Sequence, residues 1–325
     1  MKKKILEYFQ DHLGDFISGE KISKELDVSR SAIWKYMQNL RAQGYEFESQ
    51  SRKGYCLRTL PDRLSPEIVI PKLKTIAFGR TYCYDKQMDT TNRVAKELAT
   101  QGAVEGMVVV AEEQIGGKGR LQRGWFSPAQ KGMWLSIILR PTFSPADAPK
   151  VTFLSAVAMA KVLRRYDIDA GIKWPNDILV NNKKIVGILT ELSAEVDQIH
   201  YVVTGIGLNI NIDSADFPEE LQEIATSMKI CTGKTWDRSE IVSEFLVELE
   251  KMYNHILENG FGELFVEWSE LNVTLGEEVL VVSGDSSYEG RAIELDPSGG
   301  LWVQTLDGNR ELVQAGDVSI RTKQK

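Results

Sequence analysis

Two stretches carry side chains whose type and spacing can do chemistry. The first is Gln114-Ile-Gly-Gly-Lys-Gly-Arg-Leu-Gln-Arg-Gly-Trp125. It holds four glycines (Gly116, Gly117, Gly119, Gly124), three cations (Lys118, Arg120, Arg123) and no acid, in a chain of net charge −7. Glycine lets a backbone approach a ligand closely and change shape. Ammonium and guanidinium groups attract carboxylates and phosphates. The stretch reads as a mobile anion-binding loop, with a plain solvated loop as the alternative. The second stretch is Ile172-Lys-Trp-Pro-Asn-Asp177, followed by Ile178-Leu-Val180, Asn181-Asn-Lys183 and Ile185-Val-Gly-Ile-Leu189. Two apolar runs around an Asn-rich turn predict a hairpin, which gathers Lys173, Asp177 and Lys184. Such a cluster is either a surface ion pair of little worth or a polyphosphate site. In the second case the lysines meet phosphate oxygens, and Asp177 meets a magnesium ion or a purine edge.

Other chemistries are disfavoured. The three histidines are scattered, which argues against a His-based metal cage or a Ser-His-Asp triad. Cys56, Cys83 and Cys231 are isolated and odd in number, which favours reduced thiols in a cytoplasm over a disulfide framework. No run of about 18 apolar residues predicts a membrane span. The charged start lacks the apolar core and small-residue cleavage site of a signal peptide.

The elements that must position these residues follow from periodicity. In the first 60 residues, 11 Lys and Arg oppose 8 Asp and Glu, so a net +3 sits on a remainder of −10. That division points to an anionic partner for the N-terminal part. Ile5, Leu6, Phe9 and Leu13 predict a helix over about 2–13. Ser18 caps a second helix that buries Ile22 and Leu26. Ser29 caps a third that buries Ile33, Met37 and Leu40 and ends at Gly44. Two short strands, Tyr45–Ser49 and Tyr55–Arg58, flank a basic turn. This order predicts a winged helix-turn-helix over 1–60. Arg30, Ser31, Lys35 and Gln38 then face the major groove, and Arg52 and Lys53 on the wing meet phosphates. A helical interaction module with a solvated charged face is the alternative. One such module reads little sequence, so a dimer on a two-part site is expected.

Pro61, Pro66 and Pro71 predict a linker over 61–71. The domain expected over 72–270 opens with a strand in Ile76–Tyr84. Asp89-Thr-Thr-Asn92 precedes a helix, with the hydroxyls of Thr90 and Thr91 as N-caps and free N–H groups for a polar ligand. Strands are predicted over Met107–Gln114, Met133–Leu139 and His200–Ile212, and helices over Val151–Arg165, Asp237–Asn259 and Gly262–Glu270. Gly205-Ile-Gly-Leu-Asn209 is not a dinucleotide fingerprint, because a loop and not a helix follows it. Glycines inside a strand instead mark close approach of another group. Residues 271–325 predict short strands, Leu275–Val282, Ser287–Leu295, Leu301–Thr305 and Val318–Arg321, forming a small SH3-like β-barrel.

Over nearly its whole length the chain resembles the bifunctional biotin–protein ligases that also repress biotin genes. The resemblance rests on Gly117-Lys-Gly-Arg120 through Trp125, Lys173-Trp-Pro-Asn-Asp177, Lys184 with Gly187, and Gly205-Ile-Gly-Leu-Asn209. It implies an α+β multidomain fold whose central domain is a mixed sheet like that of class II aminoacyl-tRNA synthetases. It implies that biotin and ATP give biotinyl-5′-AMP, and that biotin then passes to one lysine of a biotin carboxyl carrier domain. It places Thr90, Thr91, Asn92, Gln114, Lys118, Gly119, Arg120 and Lys184 around biotin. Lys173, Asn176, Asp177 and Asn209 fall on the ATP side, with Trp125 placed to stack on adenine. Arg120, Lys118 and Lys184, with Mg²⁺, offset the repulsion between carboxylate and α-phosphate. A glycine-rich lid that orders over the water-sensitive adenylate, making it the corepressor of a DNA-binding homodimer, is the regulatory expectation. One departure is Lys118, where the family loop commonly carries arginine; lysine keeps the charge and loses the fork. A lipoate-type ligase, a repressor that binds metabolite without catalysis, and a ligase with a vestigial winged helix are the competing expectations.

Overall fold

The structure is a computed structural model and describes residues 2–283, 286–315 and 318–322. It divides into two compact units, Met1–Lys72 and Leu73–Lys325. The first holds helices α1 (Lys2–Gln10), α2 (Gly19–Leu26) and α3 (Arg30–Ala42), the hairpin β1 (Glu46–Gln50) and β2 (Gly54–Thr59), and the single turn α4 (Pro66–Val69). Ser18 Oγ accepts from Lys21 N and Ser29 Oγ from Ala32 N, so both hydroxyls satisfy helix-end donors. Ile5, Phe9, Ile22, Ile33, Met37 and Leu40 are buried in one cluster. Each is worth roughly 1.5–3 kcal/mol of burial. This is the winged helix-turn-helix plan. The first helix stops at Gln10 instead of about residue 13, and Gly14 N donates to Leu57 O on the hairpin. Within residues 61–72, Leu64, Ile68 and Val69 are buried. Gln10 Nε2 donates to Glu67 O at 2.9 Å, and Arg63 donates to Gln43 O at 2.7 Å.

The second unit begins with β3 (Tyr82–Met88), α5 (Thr91–Thr100), β4 (Val108–Gln114), β5 (Gly132–Leu139) and α6 (Val151–Arg165). It continues with β6 (Gly171–Lys173), β7 (Asp177–Val180), β8 (Lys183–Ala194) and β9 (Ile199–Asn209). Helices α7 (Glu219–Gln222), α8 (Met228–Thr232), α9 (Arg238–Asn259) and α10 (Gly262–Leu271) follow. The strands form a seven-stranded sheet in the order β3-β4-β5-β9-β8-β7-β6. Only β3 and β4 run parallel; the other neighbours are antiparallel. It is the mixed, mostly antiparallel sheet flanked by helices that the family resemblance implies.

Strand alternation assigns the two faces. Val109, Ala111, Ile138 and Val203 pack with Ala95 and Ala99 of α5. Val110, Glu112 and Ile137 therefore point the other way, where Arg238 at the start of α9 meets Glu112 at 2.8 Å with both side chains buried. Residues Ile76–Phe78 are not strand. Their three backbone N–H groups donate to the Glu250 carboxylate at 2.6–2.8 Å, and the edge strand starts later, at Tyr82. Strand β9 likewise ends at Asn209, because the N–H groups of Ile210 and Asn211 both turn to Lys131 O.

The tail forms β10 (Glu278–Ser283), β11 (Ser286–Leu295), β12 (Leu301–Thr305), β13 (Arg310–Val313) and β14 (Val318–Thr322). They make an antiparallel sheet in the order β13-β12-β11-β10-β14. Strand β13 is short and largely exposed, so it carries no apolar alternation to read from sequence. Among the described residues no helix is long and apolar enough to cross a membrane.

Candidate active site

A cleft of about 1010 Å³ opens in the second unit, on the face of the sheet that α5 covers. Its floor is built from missing side chains. Gly187 of β8 and Gly207 of β9 are directly paired across the two strands. A Cβ on Gly207 would lie 2.3 Å from Trp125 Nε1, and one on Gly187 would lie 2.9 Å from the same indole. The Trp125 ring therefore lies on a platform that only glycine leaves open. Its Nε1 is buried without a hydrogen-bond partner among the described residues. Buried donors are seldom left so.

One wall is a continuous polar network. Thr90 Oγ1 accepts from Arg93 N and is the N-cap of α5. Thr91 donates from both its N and its Oγ1 to Gln114 Oε1, at 2.8 and 3.1 Å. Gln114 Nε2 in turn donates to Ser127 Oγ at 3.0 Å. Ser136 Oγ stands 2.7 Å from Thr91 Oγ1 and 2.6 Å from Asn92 Oδ1. Asn92 Nδ2 reaches Glu191, which also holds Lys96 Nζ at 2.6 Å. Gly205 makes room for this, since a Cβ there would lie 2.0 Å from Asn92 Oδ1. The in-strand glycines thus do mark close approach, Gly205 by Asn92 and Gly187 and Gly207 by Trp125.

The basic loop is ordered as a small hairpin. Trp125 N donates to Gly117 O, and Gly119 N to Arg123 O, each at 2.8 Å. At its tip Leu121 and Gln122 take φ of 55° and 57°. A non-glycine residue there costs about 1–2 kcal/mol. Arg120 turns inward, donating to Asn176 Oδ1 at 3.2 Å and to the backbone carbonyl of Ala315. Lys118 and Arg123 are exposed at the rim. Arg93, also on the cleft, is held above its usual value by its hydrogen bonds to Asp89 and then Glu97.

On the opposite side, Lys184 Nζ is 2.6 Å from Asp177 Oδ1 and 5.0 Å from the centre of the Trp125 ring. Lys173 lines the same wall. Asn176 is buried, with Nδ2 donating to Ile188 O at 2.7 Å. Trp174 is buried as well and braces the site. Its N donates to Thr274 Oγ1 and its Nε1 to Gly299 O, which ties the C-terminal sheet to the cleft. Ser298, Gly299, Gln314 and Ala315 accordingly line the cleft from that sheet.

The structure thus brings together Thr90, Thr91, Asn92, Gln114, Lys118, Gly119, Arg120, Trp125, Lys173, Asn176, Asp177 and Lys184. Asn209 is not among the lining residues; two residues beyond Gly207 on β9, its amide donates to Thr226 O at 3.0 Å. Sequence reasoning missed Ser127, Ser136, Glu191 and the C-terminal contributors, since none sits in a motif and each is placed by tertiary folding. Among the described residues, no group of three or more His, Cys, Asp or Glu is arranged to hold a metal ion.

In the first unit, Arg30, Ser31, Lys35 and Gln38 lie exposed on α3, and Arg52 and Lys53 lie exposed at the hairpin tip. Arg30 reaches Glu20 at 3.5 Å, and Lys53 stands 5.6 Å from the centre of the Phe16 ring. Arg41 and Arg58 are spent within the unit, on Phe47 O and Ser49, and on Glu48.

A helix-turn-helix module, a glycine-floored cationic cleft on a mixed sheet, and a small β-sheet that reaches into the cleft define the class of protein. The chain belongs to the biotin/lipoate A/B protein ligase family, with the domain plan of its bifunctional ligase/repressors. The model of that family matches residues 84–209, an HTH domain matches 2–56, and the biotin protein ligase C-terminal domain matches 274–321. The bifunctional ligase/repressor BirA of Bacillus spizizenii is 39% identical over 316 residues, spanning 97% of each chain. That of Escherichia coli is 28% identical over 313 residues, spanning 96% of this chain and 95% of the other. The structure of the biotin protein ligase from Aquifex aeolicus in complex with biotin and ATP superposes with a TM-score of 0.66 at 28% identity. It covers 75% of this chain and 100% of the other.

Proposed function

We propose that the chain activates biotin with ATP, transfers it to a lysine of a biotin carboxyl carrier domain, and represses transcription with the adenylate as corepressor. In the first step a biotin carboxylate oxygen attacks the α-phosphorus of ATP. A new P–O bond forms, the bond to the bridging oxygen breaks, and pyrophosphate leaves with the electron pair. In the second step the neutral amine of the carrier lysine attacks the acyl carbon of biotinyl-5′-AMP. A C–N bond forms, the C–O bond to AMP breaks, and the amine proton passes to solvent.

The observation that carries this reading is the convergence, in one cleft, of Arg120 with Asn176 and of Lys184 with Asp177, beside the glycine platform. Two anions must meet in the first step, and cations fixed before reaction oppose their repulsion without reorganising. Arg120 and Lys184 take that role, with Lys118 at the rim. Thr90, Thr91, Asn92 and Gln114 supply directional polar contacts to biotin, and Gly119 lets the loop close on it. Lys173, Asn176 and Asp177 take the nucleotide side, where Trp125 offers a ring face; Asn209 acts by supporting Thr226. Magnesium fits Asp177, a hard oxygen donor on the cleft, because Mg²⁺ uses one or two carboxylates plus substrate phosphates and needs no protein cage. It would neutralise phosphate charge there.

Operator DNA meets Arg30, Ser31, Lys35, Gln38, Arg52 and Lys53. The adenylate-bound form is a homodimer, and the protein works in the cytoplasm. ATP–pyrophosphate exchange measured with biotin and with lipoate side by side tests the substrate. Exchange with biotin is expected; exchange with lipoate alone would replace this reading.

A further inference from the structure

Helix α3 exposes one residue that its charged and polar neighbours do not explain. Trp34 is 55% exposed, while Ile33 and Met37 on the other side of the helix are buried. Arg30 and Gln38 stand one turn to either side of it, and Ser31 and Lys35 flank it, all exposed. Side chains four apart share a face, so the indole sits at the centre of this face. Helix α3 has no acidic residue, against Arg30, Lys35 and Arg41. An apolar group at the centre of a cationic helix face needs a partner that is anionic overall and apolar at one point. The major groove offers that: phosphates at its edges, and on its floor the C5-methyl group of thymine as its apolar feature.

We propose that Trp34 is a base-reading residue, which selects thymine at one position of each half-site by packing its indole on the methyl group. The inference rests on the DNA-binding reading of the first unit. Phosphate contacts from Arg52 and Lys53 set affinity and register, and carry no sequence information. Trp34 supplies discrimination that hydrogen-bonding residues do not, because uracil and thymine present the same O4 acceptor and differ only in the methyl.

The test uses the full chain with biotin and ATP. Duplexes are selected from a random pool, first with the native protein and then with Trp34→Ala and Trp34→Phe. The native protein is expected to enrich a thymine that Trp34→Ala no longer requires and Trp34→Phe retains in part. Replacing that thymine with deoxyuridine is expected to weaken native binding about fourfold, the equivalent of one buried methyl. The same change leaves Trp34→Ala unaffected, and the salt dependence of binding is the same in all three proteins. An equal deoxyuridine penalty in native protein and Trp34→Ala would overturn the role of Trp34 while leaving DNA binding intact. A change in self-association with the penalty preserved would also overturn it, placing the indole between two copies of the chain. Failure of the native protein to retain any duplex would instead remove the DNA-binding reading itself.

Discussion

Gly187 and Gly207 face each other across β8 and β9, and the indole of Trp125 lies over both. The pair explains why two strands that otherwise bury apolar side chains interrupt them at the same level. Glycine inside a strand weakens it, and here the weakness leaves room for a ring. Gly207→Ala puts a methyl 2.3 Å from Trp125 Nε1, an overpacking cost of about 1–3 kcal/mol. We expect kcat/KM for biotin to fall by roughly 10-fold or more, with a changed tryptophan emission. Unchanged kinetics would mean that the platform does not shape the site.

Arg120 is held between Asn176 and Ala315 O, and so links the loop to both the turn between β6 and β7 and the segment that follows β13. A hydrogen bond to a charged group is worth about 1.5–3 kcal/mol. Arg120→Ala should therefore release biotinyl-AMP roughly 10- to 100-fold faster, measured by chase after single-turnover synthesis. Equal retention would remove the loop from any protective role.

Lys184 sits 2.6 Å from Asp177. Removing one charge placed for the transition state costs about 10²–10³ in kcat. Lys184→Gln should lose that factor in adenylation with a smaller change in KM, read by pyrophosphate release. A loss confined to KM would assign Lys184 to ground-state binding alone.

Between α6 and α9, Glu248 meets Arg165 and Lys161. Burial works to raise its carboxyl, and the Arg165 hydrogen bond and the two cations outweigh it, so the group lies below its usual range. A depressed carboxyl stabilises the fold above its unfolded-state value and loses that contribution as pH falls through its native value. Glu248→Gln should lower Tm at neutral pH and flatten the loss of stability on acidification below about pH 4.5. A parallel acid limb in both proteins would contradict this.

On DNA, Arg52→Ala and Lys53→Ala should each reduce the salt slope, log Kobs against log[salt], by about 1. The order of preferred sequences should not change. A changed preference with an unchanged slope would move the wing from phosphate to base contact.

Much of this is legible in the chain. Ser18, Ser29 and Thr90 announce their helices, because a capping hydroxyl is a local device. The hairpin of Asn181-Asn182 is also local, and it brings Lys184 to Asp177. What escapes depends on distant partners. Ile76–Phe78 look like strand, yet they donate to Glu250, which lies far along the chain. Ser136 reads as a polar break in a buried strand until Thr91 and Asn92 meet it. Ala315 enters the cleft through its backbone carbonyl, which leaves no mark in side-chain type. Asn209 belongs to a motif but its amide is taken up by Thr226 O, a partner that residue type does not announce.

The central claim is that this cleft makes an acyl-adenylate and spends it on a carrier lysine. Intact-mass measurement of a biotin carboxyl carrier domain, incubated with the protein, biotin and ATP, tests it most directly. The expected result is the mass of one added biotinyl group on one lysine, formed only when both biotin and ATP are present. A carrier of unchanged mass, with protein that still binds biotin and ATP, would contradict it.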